Sequence, residues 1–265
     1  MAENLVFHFE ITMRKDSIFT YVVGFVLGRA DLLRELLFAI DRNAKKRKLT
    51  YRIFFLGNLI DFSPDSKGAV ELALHAVSRN PGSGLLLGRF EDALLQMIDE
   101  TDRSVRQRML SKWVGDPRSL QEIHVRIGKP EVSTDLLTDA IDQRHLSFIR
   151  KARRFIELDD HVLVHAGLEP GVHLLEQDPA SFLKAPGGFE NYRGSFGKIV
   201  VHGTSNPVDP VESYPNRIAI NSTTQRNGRL PAICIDPDGA VHWLSAQRSG
   251  SRGVEIFSGQ PSIVE

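Results

Sequence analysis

The chain has 265 residues, 42% of them hydrophobic and 25% charged, and its 33 basic and 33 acidic residues give a formal net charge of zero. This composition predicts a folded globular protein with a sizeable core, and it favours neither a nucleic-acid partner nor an anionic membrane surface. A single cysteine, Cys234, excludes an internal disulfide and favours a reducing compartment. No apolar run approaches the roughly 18 residues of a membrane-spanning helix. We therefore expect a cytoplasmic protein without a membrane partner.

Three strand–glycine–loop–helix units occupy the first hundred residues. Their apolar runs end at Gly24, Gly57 and Gly88, and a helical pattern follows each glycine. The first run is Ile18 to Val23, and Ser66 is the expected N-cap of the second helix. Units of this kind build a sheet that is covered by helices and place reactive groups at the carboxyl edge of its strands.

The α/β pattern continues through the second half of the chain. Residues 102–158 are mostly polar with helical periodicity, which predicts a helical insertion packed against the sheet. Strand-like runs then follow at residues 162–165, 198–203, 217–221, 230–236 and 240–244. We therefore predict one domain over residues 1–245. Residues 246–265 are rich in Ser, Gly and Arg and are expected to form a flexible C-terminal tail, in which the segment from Val254 to Phe257 could dock on the domain.

Five segments match the motifs of a known family in order and spacing. They are Tyr21 to Gly24 with Gly28 to Leu33, Gly57 to Ser66, Gly88 to Leu94, Val164 to Gly171, and Lys198 to Ser205. In these segments the chain resembles the bacterial branch of the PPP-type serine/threonine phosphatases, which are metallophosphoesterases of calcineurin-like fold. The resemblance covers residues 20–245 and implies an α/β fold: a central β-sandwich of mixed sheets flanked by helices, with the helical insertion attached.

The chemistry of that family depends on two divalent cations, which lower the pKa of a bridging water and polarise the phosphate. The family's ligands, general acid and phosphate-binding arginines fall here on Phe25, Leu27, Asn58, Phe62, Arg89, Phe90, Pro186 and Thr204. Phe90 replaces the general-acid histidine, and Phe62 and Pro186 replace the two arginines. Of the metal ligands, His165 alone keeps its identity. The comparison with the family therefore predicts no metal, no cofactor and no catalytic residue, so we expect a pseudophosphatase that is not an enzyme.

A candidate vestigial pocket remains, formed by Asp61, Arg89, Glu91, His165 and His202. In one hypothesis, apolar side chains fill the former metal cavity, Asp61 and Glu91 are the expected partners of Arg89, and an Arg89–Asp61 ion pair replaces the metals as the electrostatic centre of the fold. In the other, Arg89, His165 and His202 form an anion site that still recognises phosphate. His165 is interpreted either as a hydrogen-bonded core histidine or as a metal ligand.

Three functional hypotheses follow from these features. The first is a catalytically inactive phosphatase-like protein that binds a protein or phosphoprotein partner in a regulatory role. The second is a metal-dependent phosphoesterase with residual or altered activity, which uses His165 and Asn58 with one ion. The third is a structural subunit that pairs with an active homologue. The sequence favours the first, because the motifs that build the fold are kept while most of the residues that would bind metal and catalyse the reaction are replaced.

Overall fold

The computed structural model describes residues 18–60, 65–113, 141–206, 209–224, 228–250 and 253–264. Within these residues, twelve strands form two six-stranded mixed sheets. In chain order the strands are β1 (Ile18–Val23), β2 (Thr50–Phe55), β3 (Gly84–Leu85), β4 (Phe155–Glu157), β5 (His161–Val164), β6 (Ile199–Thr204), β7 (Val211–Tyr214), β8 (Arg217–Asn221), β9 (Arg229–Ile235), β10 (Val241–Ser249), β11 (Gly253–Gly259) and β12 (Ser262–Ile263). The sheet orders are β11-β10-β9-β1-β2-β3 and β12-β7-β8-β6-β5-β4.

Helices flank the two sheets. They are α1 (Ala30–Arg47), α2 (Ser66–Arg79), α3 (Arg89–Asp99), α4 (Arg103–Trp113), α5 (Gln143–Arg150) and α6 (Pro179–Leu183). The architecture confirms the predicted α/β sandwich of mixed sheets. In α2 the N-cap is Asp65, whose side chain accepts a hydrogen bond from the Gly68 amide, so the predicted N-cap Ser66 is the first helical residue instead. None of the helices described is long and apolar enough to cross a membrane.

The alternation of side chains along the strands divides the core into layers. In β1, Tyr21 and Val23 belong to the cluster that packs against the helices, whereas Val22 belongs to the cluster between the two sheets. The helical cluster includes the apolar stripe of α1, with Leu36 and Ile40 fully buried. A third cluster covers the outer face of the second sheet. The apolar core therefore has three layers: between the first sheet and the helices, between the two sheets, and on the outer face of the second sheet.

The C-terminal residues complete both sheets. β11 pairs with β10 over seven residue pairs, and β12 pairs with β7. Gly250 turns the chain between β10 and β11 with a positive φ of 61°, and the Trp243 indole nitrogen donates a hydrogen bond to the Gln260 carbonyl at 2.7 Å. Residues 246–250 and 253–264 are thus paired strands and turns where the sequence analysis expected a flexible tail. β11 and β12 lie at the edges of the sheets and are mostly exposed, which explains the weak apolar pattern of these residues.

The helical insertion is described only at its two ends. α4 and α5 lie within residues 102–158 as predicted, but β4, over Phe155–Glu157, is a strand that pairs with β5. Residues 114–140 lie outside the described part of the chain. At the carboxyl ends of β1, β2 and β3 the chain leaves the first sheet through three loops, close to the ends of β5 and β6 in the second sheet. The candidate site lies at this edge.

Candidate functional site

A cavity of about 320 Å³ opens at the carboxyl edge of the strands. It is lined by Phe25, Leu27, Asn58, Arg89, Phe90, His165, Ala166, Leu183, Lys184, Gly203 and Ser205. These residues come from the loops after β1, β2 and β5, from the start of α3, from the end of α6 and its C-cap, and from β6 with the residue after it. The fold therefore brings together six positions that the sequence analysis singled out: Phe25, Leu27, Asn58, Arg89, Phe90 and His165.

His165 is buried at the base of this cavity. Its Nδ1 donates a hydrogen bond to the Leu56 carbonyl at 2.5 Å, so its Nε2 carries a lone pair, which accepts the backbone N–H of Arg89 at 3.4 Å. The Phe25 ring packs on the imidazole with centroids 4.6 Å apart. Burial, assisted by the nearby positive charge of Arg89, lowers the pKa of His165 to about 4. The imidazole is therefore neutral at neutral pH.

Asn58 is held in place by a buried carboxylate beneath the cavity. Glu91 accepts the backbone N–H groups of Asn58 at 2.8 Å, Leu59 at 2.7 Å and Ile60 at 3.2 Å. Burial raises the pKa of Glu91, whereas these three donors favour its ionised form. Asn58 adopts a left-handed conformation with φ of 49°, and its Oδ1 accepts the Phe90 N–H at 3.2 Å. The loop after β2 is thus hydrogen-bonded to the start of α3.

Arg89 lies at the exposed rim of the cavity. It is the first residue of α3, and its guanidinium carbon is 5.4 Å from the centroid of the Phe90 ring. Lys184, from the C-cap of α6, provides a second exposed cation. Among the lining residues that the structure describes, none carries a carboxylate. The described rim of the cavity is therefore electropositive.

Of the two acids expected to pair with Arg89, only Glu91 is among the described residues. Arg89 is exposed, and the Glu91 carboxylate is occupied by three backbone amides. The pairing of Arg89 with Glu91 is therefore wrong. The other partner, Asp61, and the neighbouring Phe62 lie outside the described residues.

His202 does not belong to the cavity. Successive residues of a strand point to opposite faces of the sheet, and in β6 it is Gly203 that contacts the cavity while His202 packs edge-on against Phe189 at 4.9 Å. The grouping of His202 with Arg89 and His165 in one pocket is therefore wrong. Pro186 and Thr204 are likewise outside the set of residues that line the cavity.

Apolar side chains occupy the positions where the family resemblance places metal ligands. Phe25 and Leu27 are nearly buried, and a Cβ on Gly203 would lie only 2.3 Å from the Phe25 ring. The remaining donors include His165 Nε2 and Asn58 Oδ1, both already engaged with backbone N–H groups, and the Arg89 charge opposes further cations. The residues described here therefore do not fit the two-cation centre of the family, and we derive no step through such a centre.

A second group of potential metal ligands lies elsewhere in the molecule. Glu71, Asp142 and His145 each offer a ligand atom within 4.8 Å of the other two, and none of them lines the cavity at Arg89. The sequence analysis did not single out these residues. The Asp–x–x–His spacing at the start of α5 is a signal for two of them, but the contribution of Glu71 depends on how α2 packs against α5.

Comparisons with known proteins identify the fold through structure alone. No family model and no curated protein matches the sequence. A crystal structure described as a "putative diadenosine tetraphosphatase" has a TM-score of 0.59 and 18% sequence identity, over 89% of this chain and 96% of that chain. A hypothetical protein from Pyrococcus horikoshii OT3 has a TM-score of 0.48 at 11% identity, over 92% of this chain and 88% of that chain. A metallophosphoesterase from Sphaerobacter thermophilus has a TM-score of 0.45 at 12% identity, over 87% and 88%.

The chain shares the fold of the structure with a TM-score of 0.59, and its two mixed sheets flanked by helices are the sandwich that the resemblance implied. The expectation that the protein is not an enzyme is corrected by two findings. The fold is shared with a structure described as a "putative diadenosine tetraphosphatase", and the described residues include a group of potential metal ligands that the sequence analysis overlooked. Substituted ligand positions at one edge of the sandwich are therefore an insufficient basis for excluding catalysis.

Proposed function

We propose that the protein binds a phosphoester in the cavity at Arg89, and that the phosphoryl group belongs to a protein partner. The observation that supports this proposal is the charge of the cavity. Two exposed cations, Arg89 and Lys184, lie on its rim, and its described lining contains no carboxylate. An electropositive, open cavity on a metallophosphoesterase fold is suited to a dianionic ligand.

Arg89 is the residue best suited to the phosphoryl group. A guanidinium presents donors in a planar fork that matches two phosphate oxygens, and charge-assisted hydrogen bonds of this kind are stronger than neutral ones. The hydrogen bond from the Arg89 backbone to His165 and the contact of its side chain with the Phe90 ring limit its freedom. This restraint reduces the conformational entropy that binding must remove.

The apolar residues of the cavity contact the remainder of the ligand. Phe25, Leu27 and Phe90 form walls beside the two cations, so the phosphoryl group is held next to surfaces that exclude water. Arg89, Lys184 and Ser205 are all exposed, which leaves the rim accessible to a phosphorylated side chain that projects from another protein. This accessibility favours a phosphoprotein as the partner and a regulatory role through binding.

The proposal is tested by titrating phenyl phosphate into the wild type and into Arg89→Gln, Lys184→Gln and Lys46→Gln. Arg89→Gln should weaken binding by about 10- to 100-fold, because hydrogen bonds to charged groups contribute about 1.5–3 kcal/mol. Lys184→Gln should weaken it less, since a lysine on an exposed stem binds as a mobile point charge. Lys46 is exposed in the last turn of α1 and does not line the cavity, so its variant controls for the loss of one charge.

Release of inorganic phosphate, measured in the same titration with and without added Mn²⁺, separates binding from turnover. Equal affinities of the wild type and Arg89→Gln for phenyl phosphate contradict the proposal, whatever the rate of phosphate release. A loss of affinity confined to Arg89→Gln and Lys184→Gln supports it.

A further inference from the structure

The group formed by Glu71, Asp142 and His145 joins two helices. Glu71 lies on α2, Asp142 is the N-cap of α5, and His145 lies in the first turn of α5. One ligand atom of each residue lies within 4.8 Å of those of the other two. An imidazole and two carboxylates from separate elements therefore converge on one point.

The imidazole of this group is already oriented. The His145 side chain is 0% exposed, and its Nε2 lies 2.5 Å from Glu71 Oε2. A ring that is buried on all sides keeps its orientation when its partner changes, which reduces the cost of binding a new partner. His145 Nε2 is thus directed towards the two carboxylates and away from the core.

A positive charge already lies between the two carboxylates. The Nη2 atom of Arg144 is 2.7 Å from Asp142 Oδ2 and 3.4 Å from Glu71 Oε2. The Arg144 side chain is 66% exposed, so it can leave for solvent without opening the core. Its guanidinium neutralises the negative charge of the two carboxylates, and a small divalent cation could do the same in its place.

We propose that Glu71, Asp142 and His145 bind one zinc ion, with the Arg144 guanidinium displaced into solvent and the proton between His145 Nε2 and Glu71 Oε2 released to water. One imidazole nitrogen, two carboxylate oxygens and a water form a donor set of the kind that tetrahedral zinc accepts. The Glu71 side chain moves slightly away from His145, because ligands at about 2.0–2.1 Å from one zinc lie farther apart than a short hydrogen bond allows. The ion connects α2 to α5, and this site is independent of the phosphoester proposal.

The test uses the full chain, stripped with a chelator and titrated with Zn²⁺ in competition with a chromophoric chelator. Glu71→Gln and Asp142→Asn should each bind zinc at least about tenfold more weakly than the wild type. Asparagine is also a good N-cap, so Asp142→Asn preserves the start of α5. Arg144→Gln should bind zinc more tightly than the wild type, because the competing cation is gone.

Two variants complete the design. His75 is an exposed histidine one turn after Glu71 on the same helix, and His75→Ala should leave the affinity for zinc unchanged. Arg89→Gln should also bind zinc as the wild type does, which separates this result from failure of the phosphoester proposal. Wild-type affinity in Glu71→Gln and Asp142→Asn, weaker binding in Arg144→Gln, or loss of binding in His75→Ala would each overturn the assignment.

Discussion

At the level of single residues, one buried carboxylate organises the candidate site. Glu91 accepts three consecutive backbone N–H groups and thereby fixes the loop that carries Asn58. A Cβ on Gly88 would lie 2.2 Å from the Asn58 nitrogen, so only glycine permits this close approach of the two loops. The cavity therefore depends on residues that do not line it.

Glu91→Gln should lower the free energy of unfolding by at least about 2 kcal/mol. The glutamine removes the negative charge that strengthens the three hydrogen bonds. The NH2 group of its side-chain amide also faces backbone N–H groups, which cannot accept a hydrogen bond. Urea denaturation measures the loss. Asp92→Asn is the matched control, since Asp92 lies on the next position of α3 and its carboxylate accepts a hydrogen bond from Gln96 near the surface. A Glu91→Gln protein as stable as the control would show that this loop is held by other contacts.

Two buried histidines should make stability depend on pH. Burial lowers the pKa of His165 to about 4 and that of His202 to about 3. Between about pH 6.5 and these values the unfolded chain binds protons that the folded chain does not. Stability contributed by the neutral histidines is therefore complete above about pH 6.5 and declines as the pH falls towards 4. Each histidine contributes a slope of at most about 1.4 kcal/mol per pH unit.

The measurement compares the wild type with His202→Leu by denaturation from pH 7 to pH 4.5. Carboxylates also titrate near the lower limit, so the difference between the two proteins isolates the contribution of His202. We expect the variant to lose less stability than the wild type as the pH falls. Both ring nitrogens of His202 lack a hydrogen-bond partner in the described structure, so leucine leaves no donor unpaired. Parallel pH profiles would contradict the assignment.

At the level of elements, the C-terminal strands are integral to the sandwich. β11 pairs with β10, and the hydrogen bond from Trp243 to the Gln260 carbonyl holds the residues after β11 against the same sheet. Deletion of residues 250–265 should lower the melting temperature by at least about 4 °C, since about 2–4 °C corresponds to each kcal/mol in a protein of this size. Calorimetry gives the shift. Ile263→Ser, at a position 86% exposed, should change it little. An unchanged melting temperature after deletion would mean that β11 and β12 do not stabilise the rest of the domain.

The sequence predicts the strands that are buried on both faces but not the strands at the edges of the sheets. β1 and β8 have the predicted bounds, because their apolar runs are continuous and end at turn residues. β7, β11 and β12 were not predicted, since strands exposed on one side, or only two residues long, lack a distinctive pattern. For locating the site, the face to which a strand residue points mattered more than where the strand begins or ends. Because successive side chains of β6 point to opposite faces of the sheet, His202 lies away from the cavity.

The candidate site was predictable in position but not in composition. Motif spacing located Phe25, Asn58 and Arg89 at the carboxyl ends of parallel strands in the first sheet, and the sandwich brings His165 of the second sheet to the same cavity. Lys184 was not predicted, since it reaches the cavity from a short helix whose packing depends on the third core cluster. The convergence of Glu71 with His145 likewise depends on helix packing that local patterns do not encode.

At the level of the whole molecule, the formal net charge is zero. The positive electrostatic potential at the cavity therefore comes from the residues around it and not from an excess of charge on the chain. The described rim carries two cations without a described carboxylate, while acidic and basic residues balance over the full chain. Binding of an anion should therefore weaken as salt rises, because exposed charges are screened over about 10 Å at 0.1 M. The ends of the strands provide the edge, and Arg89 and Lys184 provide its positive rim.

The most direct test of this account is the affinity of wild type and Arg89→Gln for a phosphoserine peptide, measured by calorimetry in the presence of EDTA. We predict that the wild type binds the phosphorylated peptide, that it does not bind the unphosphorylated form comparably, and that Arg89→Gln loses about tenfold or more in affinity. Binding that requires a metal, or that is equal in the two proteins, would contradict the claim that Arg89 holds the phosphoryl group.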